Sequence, residues 1–331
     1  MDPKFFVGVD ISKVTIDVAI VSNNIVITNF KTENSEPAIK ELLLKLKADY
    51  HINRLNTLFC AEAMGIYATF LLAVLGKNKM PVCMESPLQI KRSIGIARGK
   101  TDLLDACRIA IYASKHYKVL RLWEEPRPCI SHLKSLMAIR RRLIKARVML
   151  KNSKKTNAYY LNKLENSYVT NLTKMSLAGL SADVKELEMQ MLSTVKSDAH
   201  LQKIFEILNS IPHIGKIISL HLITATNEFK DFSNPKKFAC YCGIAPFEWS
   251  SGTSLNGKKR ISRLANKELK TLLHLASIGY TRRKKSMLGK FYLKKVQEGK
   301  NKMSILNAIR NKLVHRIFAC VRDNKMFEES L

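Results

Sequence analysis

Two aspartates three residues apart, Asp102 and Asp105 in the segment Lys100–Asp105 (KTDLLD), are a pair whose type and spacing suggest chemistry. If the segment opens a helix, the i, i+3 spacing sets both carboxylates on one face. Carboxylates placed this way repel unless a cation lies between them or each finds a basic partner. A divalent metal would serve. On these two residues alone a plain helix N-terminus is the preferred explanation, because its dipole favours acidic residues. Two further acids end apolar runs, Asp10 after Phe5–Val9 and Glu62 after Leu58–Ala61, and Asp17 lies alone within the apolar run Thr15–Val21. Hard divalent ions take oxygen ligands, and a pair of them can stabilise both the attacking and the leaving oxygen of an in-line phosphoryl displacement. Elsewhere, the stretch from Pro246 to Gly257 carries Ser250, Ser251, Gly252 and Ser254 directly before Lys258, Lys259 and Arg260. A hydroxyl-bearing loop beside a basic cluster suits a phosphate. A serine there can attack one, since the cations stabilise charge developing on the phosphorane. An ordinary surface loop has the same composition.

The elements that must position these groups follow from periodicity. Phe5–Val9, Thr15–Val21 and Ile25–Phe30 read as a meander of three short strands. Ser35–Tyr50 has helical spacing (Ile39, Leu42, Leu43, Leu46) with Pro37 in its first turn. A strand to Glu62, a helix over Tyr67–Leu75, a strand over Met80–Met84 and a helix over Thr101–Tyr117 complete the region, with a basic segment, Lys91–Lys100, before the last helix. Three strands, helix, strand, helix, strand, helix is the ribonuclease H-like α/β order. In that order Asp10 ends strand one, Glu62 ends strand four, and Asp102 and Asp105 open the last helix, so the four acids are expected to converge.

From Pro126 to about Ser210 glycine almost vanishes (Gly179 alone remains), and Leu136, Ile139, Leu143, Ala146 and Leu150 form an a/d seam of about two heptads. The seam fits a helical hairpin within the chain or a coiled coil between chains. Arg140, Arg141, Lys145, Arg147, Lys151, Lys154 and Lys155 lie off the seam, and their uniform sign suits a phosphate backbone. Ile211–Gly215 (IPHIG), between two apolar-periodic segments, resembles a helix-hairpin-helix turn. In that motif backbone amides at the turn and the next helix N-terminus meet a phosphate; His213 stands where a glycine is usual. Arg282, Arg283, Lys284 and Lys285 form a further basic run. The expected division is residues 1–125 (acidic catalytic domain), 126–204 (helical, coiled-coil segment) and 205–331 (mainly α domain).

Composition narrows the partners. Lys and Arg number 56 against 27 Asp and Glu, a net charge of +29 over 331 residues, which calls for a polyanion, above all nucleic acid. No apolar run approaches the roughly 20 residues of a membrane span, and the N-terminus lacks a signal-peptide pattern, so a cytoplasmic protein without a membrane partner is expected. The seven cysteines have no zinc or disulfide spacing and read as free thiols.

The chain resembles the DEDD transposases of insertion sequences, the group that includes the Piv/MooV DNA invertases and bridge-RNA-guided recombinases. The resemblance rests on VGVDISK around Asp10, CAEAMGIY around Glu62, RGKTDLLDA around Asp102 and Asp105, SIPHIG near 212 and GIAPFEWSSGTSLNGKKRIS from 243. It implies a RuvC-like N-terminal domain in which Asp10, Glu62, Asp102 and Asp105 bind Mg2+, with Mn2+ as a substitute. It implies a C-terminal transposase domain with a serine nucleophile in an SG motif, falling on Ser251, with Ser250 adjoining. It further implies a covalent phosphoserine with DNA, acids and serine from different domains and subunits, and a structured guide RNA. Partners are then donor and target DNA, guide RNA and further copies in a dimer or tetramer. Nucleic-acid contacts are expected at Arg140, Arg141, Lys145, Gly215, Lys258, Lys259, Arg260, Arg282 and Arg283. The chain departs from the family at Met64, where threonine is usual, and at His213. A DNA-specified invertase, a junction nuclease using metal and water, and a non-catalytic nucleic-acid-binding protein are the alternatives.

Overall fold

The computed structural model describes residues 2–95, 99, 101–251, 255–261 and 264–329, without the side chains at 94, 153–155, 157–158, 248–251, 255–256 and 258–260. Two compact units divide the chain, Met1–Glu125 and Pro126–Leu331.

The first unit is a five-stranded mixed sheet in the order β3-β2-β1-β4-β5. Its strands are β1 (Phe5–Ile11), β2 (Thr15–Ser22), β3 (Ile25–Glu33), β4 (Thr57–Glu62) and β5 (Val82–Glu85). The first three form an antiparallel meander, while β4 and β5 run parallel to β1. Helices α1 (Glu36–Tyr50), α2 (Thr69–Lys77), α3 (Pro87–Ile94) and α4 (Asp102–His116) complete the unit. This is the ribonuclease H-like, RuvC-like order expected from the sequence. The helix α3 is an addition: Pro87 at its start has the backbone angle a first turn needs, but its basic residues had masked its short apolar pattern.

Alternation along β1 divides the core in two. Phe5, Val7, Val9 and Ile11 pack with Ile39, Leu43, Leu71 and Val74 of α1 and α2. Phe6 faces the other way, into a cluster with Cys60, Cys83, Ile109 and Ala113 beneath α4. Gly8 shares that second face. A Cβ there would stand 2.2 Å from the Ala106 carbonyl oxygen and 2.3 Å from the Ala110 nitrogen, so α4 rests directly on the β1 backbone.

The second unit is mainly helical. Helices α5 (Pro128–Tyr160) and α6 (Lys163–Lys196) pack along one another within the chain as a helical hairpin. A capping box at Asn162 and Glu165 starts α6. Only the base of the hairpin enters the core, through Ile130, Leu133, Leu136, Met191 and Val195; Ile139 is 43% exposed. The core continues through α7 (Ala199–Ser210), α8 (Lys216–Thr226), α9 (Pro235–Tyr241), α10 (Lys267–Arg282), α11 (Met287–Gln297) and α12 (Lys302–Arg322).

One sequence expectation is corrected here. The stretch after Pro246 is an antiparallel hairpin, β6 (Pro246–Ser251) with β7 (Leu255–Ile261), and not a loop between helices. Phe247, Trp249 and Ile261 are strand-favouring types whose signal is diluted by serine and glycine. No helix among the described residues is long and apolar enough to cross a membrane. All seven cysteines are free thiols.

Candidate active site

Strand alternation brings the sequence-predicted acids to one face. Asp10 follows Gly8 by two residues and therefore shares the face covered by α4. Glu62 follows Cys60 by two on β4, and Glu85 follows Cys83 by two on β5; both cysteines belong to the cluster beneath α4. In register, Lys31 pairs with Asp17, Asp17 with Asp10, and Glu62 with Glu85, while Val9 pairs with Ala61 one step earlier. A single row, Lys31–Asp17–Asp10–Glu62–Glu85, thus crosses the sheet at the ends of β1, β4 and β5.

Helix α4 adds the remaining pair. Thr101 caps it, its hydroxyl accepting from the Leu104 amide at 3.2 Å. Asp102 and Asp105 fall in the first turn. The helix-opening reading of KTDLLD is the one the structure shows, and that opening carries the pair near Asp10 and Asp17. Asp10 registers the proximity. Burial above all holds its carboxyl above the usual range, and the charges of Asp105, Asp102 and Asp17 add to this.

Two cations already engage the cluster. Arg108 Nη1 lies 2.8 Å from Asp105 Oδ1, and Arg108 Nη2 donates to the Gly99 carbonyl at 2.9 Å. Lys31 Nζ lies 3.5 Å from Asp17 Oδ2 and 4.0 Å from Asp102 Oδ2. Among the described residues no three His, Cys, Asp or Glu side chains are gathered closely enough to enclose an ion. The donor chemistry nevertheless fits a divalent cation: hard carboxylate oxygens, with Asp10 raised by burial first and by its acidic neighbours second. Glu85 sits half-buried at the end of the row, pushed up by burial and receiving the Tyr112 hydroxyl at 3.4 Å. Sequence inspection noticed Asp17 but missed Lys31, Arg108 and Glu85, which only the register and the packing of α4 bring into play.

In the second unit, Ser251 ends β6, its backbone paired with Leu255. The side chains of Ser250, Ser251, Lys258, Lys259 and Arg260, and all of Gly252, lie outside the described residues. The basic candidates differ in freedom. Arg140 is spent on Glu188, with Nε 2.7 Å from Oε1. Arg141 lies 3.7 Å from Glu268, and Arg283 3.2 Å from Glu329; Lys145 and Arg282 are exposed. At the IPHIG turn, His213 adopts the left-handed conformation (φ 66°) natural to glycine. Its ring closes against Gly279 and stands edge-on to Tyr280, whose hydroxyl donates to the Pro212 carbonyl at 2.9 Å. Gly215 caps α8.

Residues 7–157 match a DEDD transposase family of the IS110 type, and residues 205–293 match the transposase IS116/IS110/IS902 family. The chain is 27% identical over 331 residues to the pilin gene-inverting proteins of Moraxella bovis and Moraxella lacunata, covering 99% of this chain and 99% of each relative. It is 23% identical over 156 residues to an uncharacterized 43.6 kDa protein of insertion element IS110 from Streptomyces coelicolor, covering 47% of this chain and 38% of that one. Among solved structures, T. thermophilus RuvC in complex with a Holliday junction substrate matches 35% of this chain and 98% of its own, with 12% identity and a TM-score of 0.30; the fold class stands on strand order instead. The class is an enzyme that breaks and rejoins DNA strands. Within that class, the chain belongs to the IS110-type DEDD transposase and invertase family.

Proposed function

We propose that this enzyme excises and inserts a mobile element through a covalent phosphoserine at Ser251, assisted by the acids of the first unit. The observation that carries the acidic half is the row formed by Asp10 and Glu62 with the first turn of α4 beside it. Asp10, Glu62, Asp102 and Asp105 would hold divalent ions, Mg2+ or its substitute Mn2+. Ions bound there supply positive charge for the oxygens of the reacting phosphate.

Ser251 Oγ forms a bond to phosphorus as the bond from phosphorus to the 3′-oxygen breaks. The hydroxyl proton leaves to solvent, and the 3′-oxygen gains one. Attack by a 3′-hydroxyl on the phosphoserine reverses the exchange and rejoins strands, so no external energy source is consumed. The location of Ser251 at a hairpin end, beside a strand rich in lysine and arginine, supports this role. The basic surface is assigned to DNA and, following the family resemblance, to a structured guide RNA, with the chains acting as a dimer or tetramer. The expected test result is that Ser251→Ala yields no covalent protein–DNA adduct in a denaturing gel while Asp105→Asn also loses cleavage. An adduct formed by Ser251→Ala would overturn the assignment.

The full-length similarity to pilin gene-inverting proteins favours a second reading, site-specific inversion with the same chemistry and DNA-encoded specificity. Ribonuclease treatment of the purified protein separates the two: recombination that survives it favours inversion without a guide.

A further inference from the structure

Helices α10 and α12 and the base of the β6–β7 hairpin enclose a cleft of about 690 Å3 that none of the chemistry above uses. Its polar lining is Lys270, Thr271, His274, Ser304, Asn307 and Arg310. Three of these residues carry buried polar atoms with no hydrogen-bond partner: His274 Nδ1, Asn307 Oδ1 and Arg310 Nε. Such atoms are rare, and each calls for an explanation. Three residues carrying such atoms at one cleft point to a binding site.

Arg310 is the most demanding. Only 5% of it is exposed, on a helix whose neighbouring Ile305, Leu306, Ile309, Leu313 and Val314 are all buried apolar residues. Among the described residues it makes no ion pair. A buried cation without an anion is costly, and an apolar side chain of similar size would serve the fold better. Its charge also acts on His274, which burial and Arg310 together hold below the ordinary range, so the imidazole is neutral and presents one donor or one acceptor at Nδ1. Asn307 is fixed by donation from Nδ2 to the Ile244 carbonyl at 2.8 Å, which leaves Oδ1 as an acceptor. A phosphodiester group, which carries no proton at neutral pH, has no use for an acceptor. A nucleotide does, because it combines an anionic group with sugar and base donors. The volume lies within the range of small-ligand sites, about 300–1,000 Å3.

We propose that this cleft holds one nucleotide of a bound strand, with Arg310 and Lys270 on its phosphodiester and Asn307 and His274 on its sugar or base. Placement supports it. Pro246 and Ile261, which line the cleft, are cross-strand partners at the hairpin base, and Ser251 ends the same strand five residues on. At about 3.3 Å per residue that is roughly 17 Å, no more than about five nucleotides along a helical strand. A nucleotide held there would set the register of the strand relative to the hairpin end. The inference rests on the nucleic-acid substrate of the family and not on the phosphoserine.

The test is fluorescence anisotropy of the full chain with a single-stranded DNA oligonucleotide and an RNA of the same sequence, across a series of salt concentrations. Arg310→Met is expected to bind about tenfold more weakly and to show a salt slope shallower by about one, with a thermal midpoint unchanged or raised. Loss for one oligonucleotide identifies the source of the nucleotide, and loss for both identifies a shared phosphodiester site. Lys270→Gln, at a half-buried position, is expected to reproduce the shallower slope and serves if Arg310→Met folds poorly. Unchanged affinity and slope for both oligonucleotides overturn the proposal. Ser251→Ala, run alongside, is expected to keep wild-type affinity while losing the adduct, so that failure of the pocket and failure of the nucleophile are read separately.

Discussion

Lys31 Nζ stands 4.0 Å from Asp102 Oδ2, so a side chain from β3 reaches the first turn of α4. The same ammonium lies 3.5 Å from Asp17, its cross-strand neighbour. A cation held at the rim of an acidic row competes with any other cation for that row. Lys31→Met removes the competitor and is expected to tighten Mn2+ binding. Lys31 and Asp102 have side chains 58% and 62% exposed, so the gain is at most about 1 kcal/mol, roughly fivefold. Titration calorimetry reads it directly. Unchanged or weaker binding would show that Lys31 orients the acids and does not compete for them.

Gly8→Ala places a methyl group against the Ala106 carbonyl and the Ala110 amide. Backbone atoms cannot swing aside as a side chain can, so α4 must lift from the sheet. Overpacking of this kind costs about 1–3 kcal/mol, and contact with backbone puts Gly8→Ala near the upper end. Because α4 carries Asp102 and Asp105, DNA cleavage should fall with stability. Urea unfolding and a strand-cleavage assay measure the two. Full activity in a destabilised Gly8→Ala protein would show that the acids tolerate a displaced helix.

His213, His221 and His274 are all held below the ordinary histidine range, in each case chiefly by burial. Arg283 adds to the effect at His213, while Glu268 opposes it at His221. Unfolded histidines titrate near 6.5. Below that pH the unfolded chain binds more protons than the folded one, so stability present above about 6.5 is lost as pH falls through the depressed folded values. Asp10 and Glu85, raised by burial, act in the opposite direction, so the decisive measurement is a difference. His213→Asn keeps a residue that tolerates the left-handed backbone and removes one titration. Its thermal midpoint should fall less than wild type between pH 7.5 and 5.5. Parallel curves would mean that protonation of His213 is not coupled to folding.

The hairpin shows where sequence inspection fell short. Ser250, Ser251 and Gly252 made residues 246–257 read as a loop, yet Pro246 to Ser251 pairs with Leu255 to Ile261. Strand preference depends on what a segment can pair with, and the partner here is the next strand, whose lysines and arginine carry little β signal of their own. The helix α3 was missed for a related reason. By contrast, β1, β4 and α4 were legible because long apolar runs and the cap at Thr101 are local signals.

The chain's own order of residues determined which acids exist, that Asp10 shares the face of Gly8, and that Asp102 and Asp105 lie in the first turn of one helix. Those are consequences of a two-residue and a 3.6-residue repeat, which act between near neighbours. Only the tertiary structure decided that Lys31 meets Asp102, that Arg108 holds Asp105 beside the Gly99 carbonyl, and that Arg310 is buried at a cleft it shares with His274 and Asn307, which also carry unsatisfied atoms. These contacts depend on register and helix packing between distant segments. In sequence, a lysine bound for a carboxylate and an arginine bound for a buried cleft look no different from the solvated cations of a strongly basic chain.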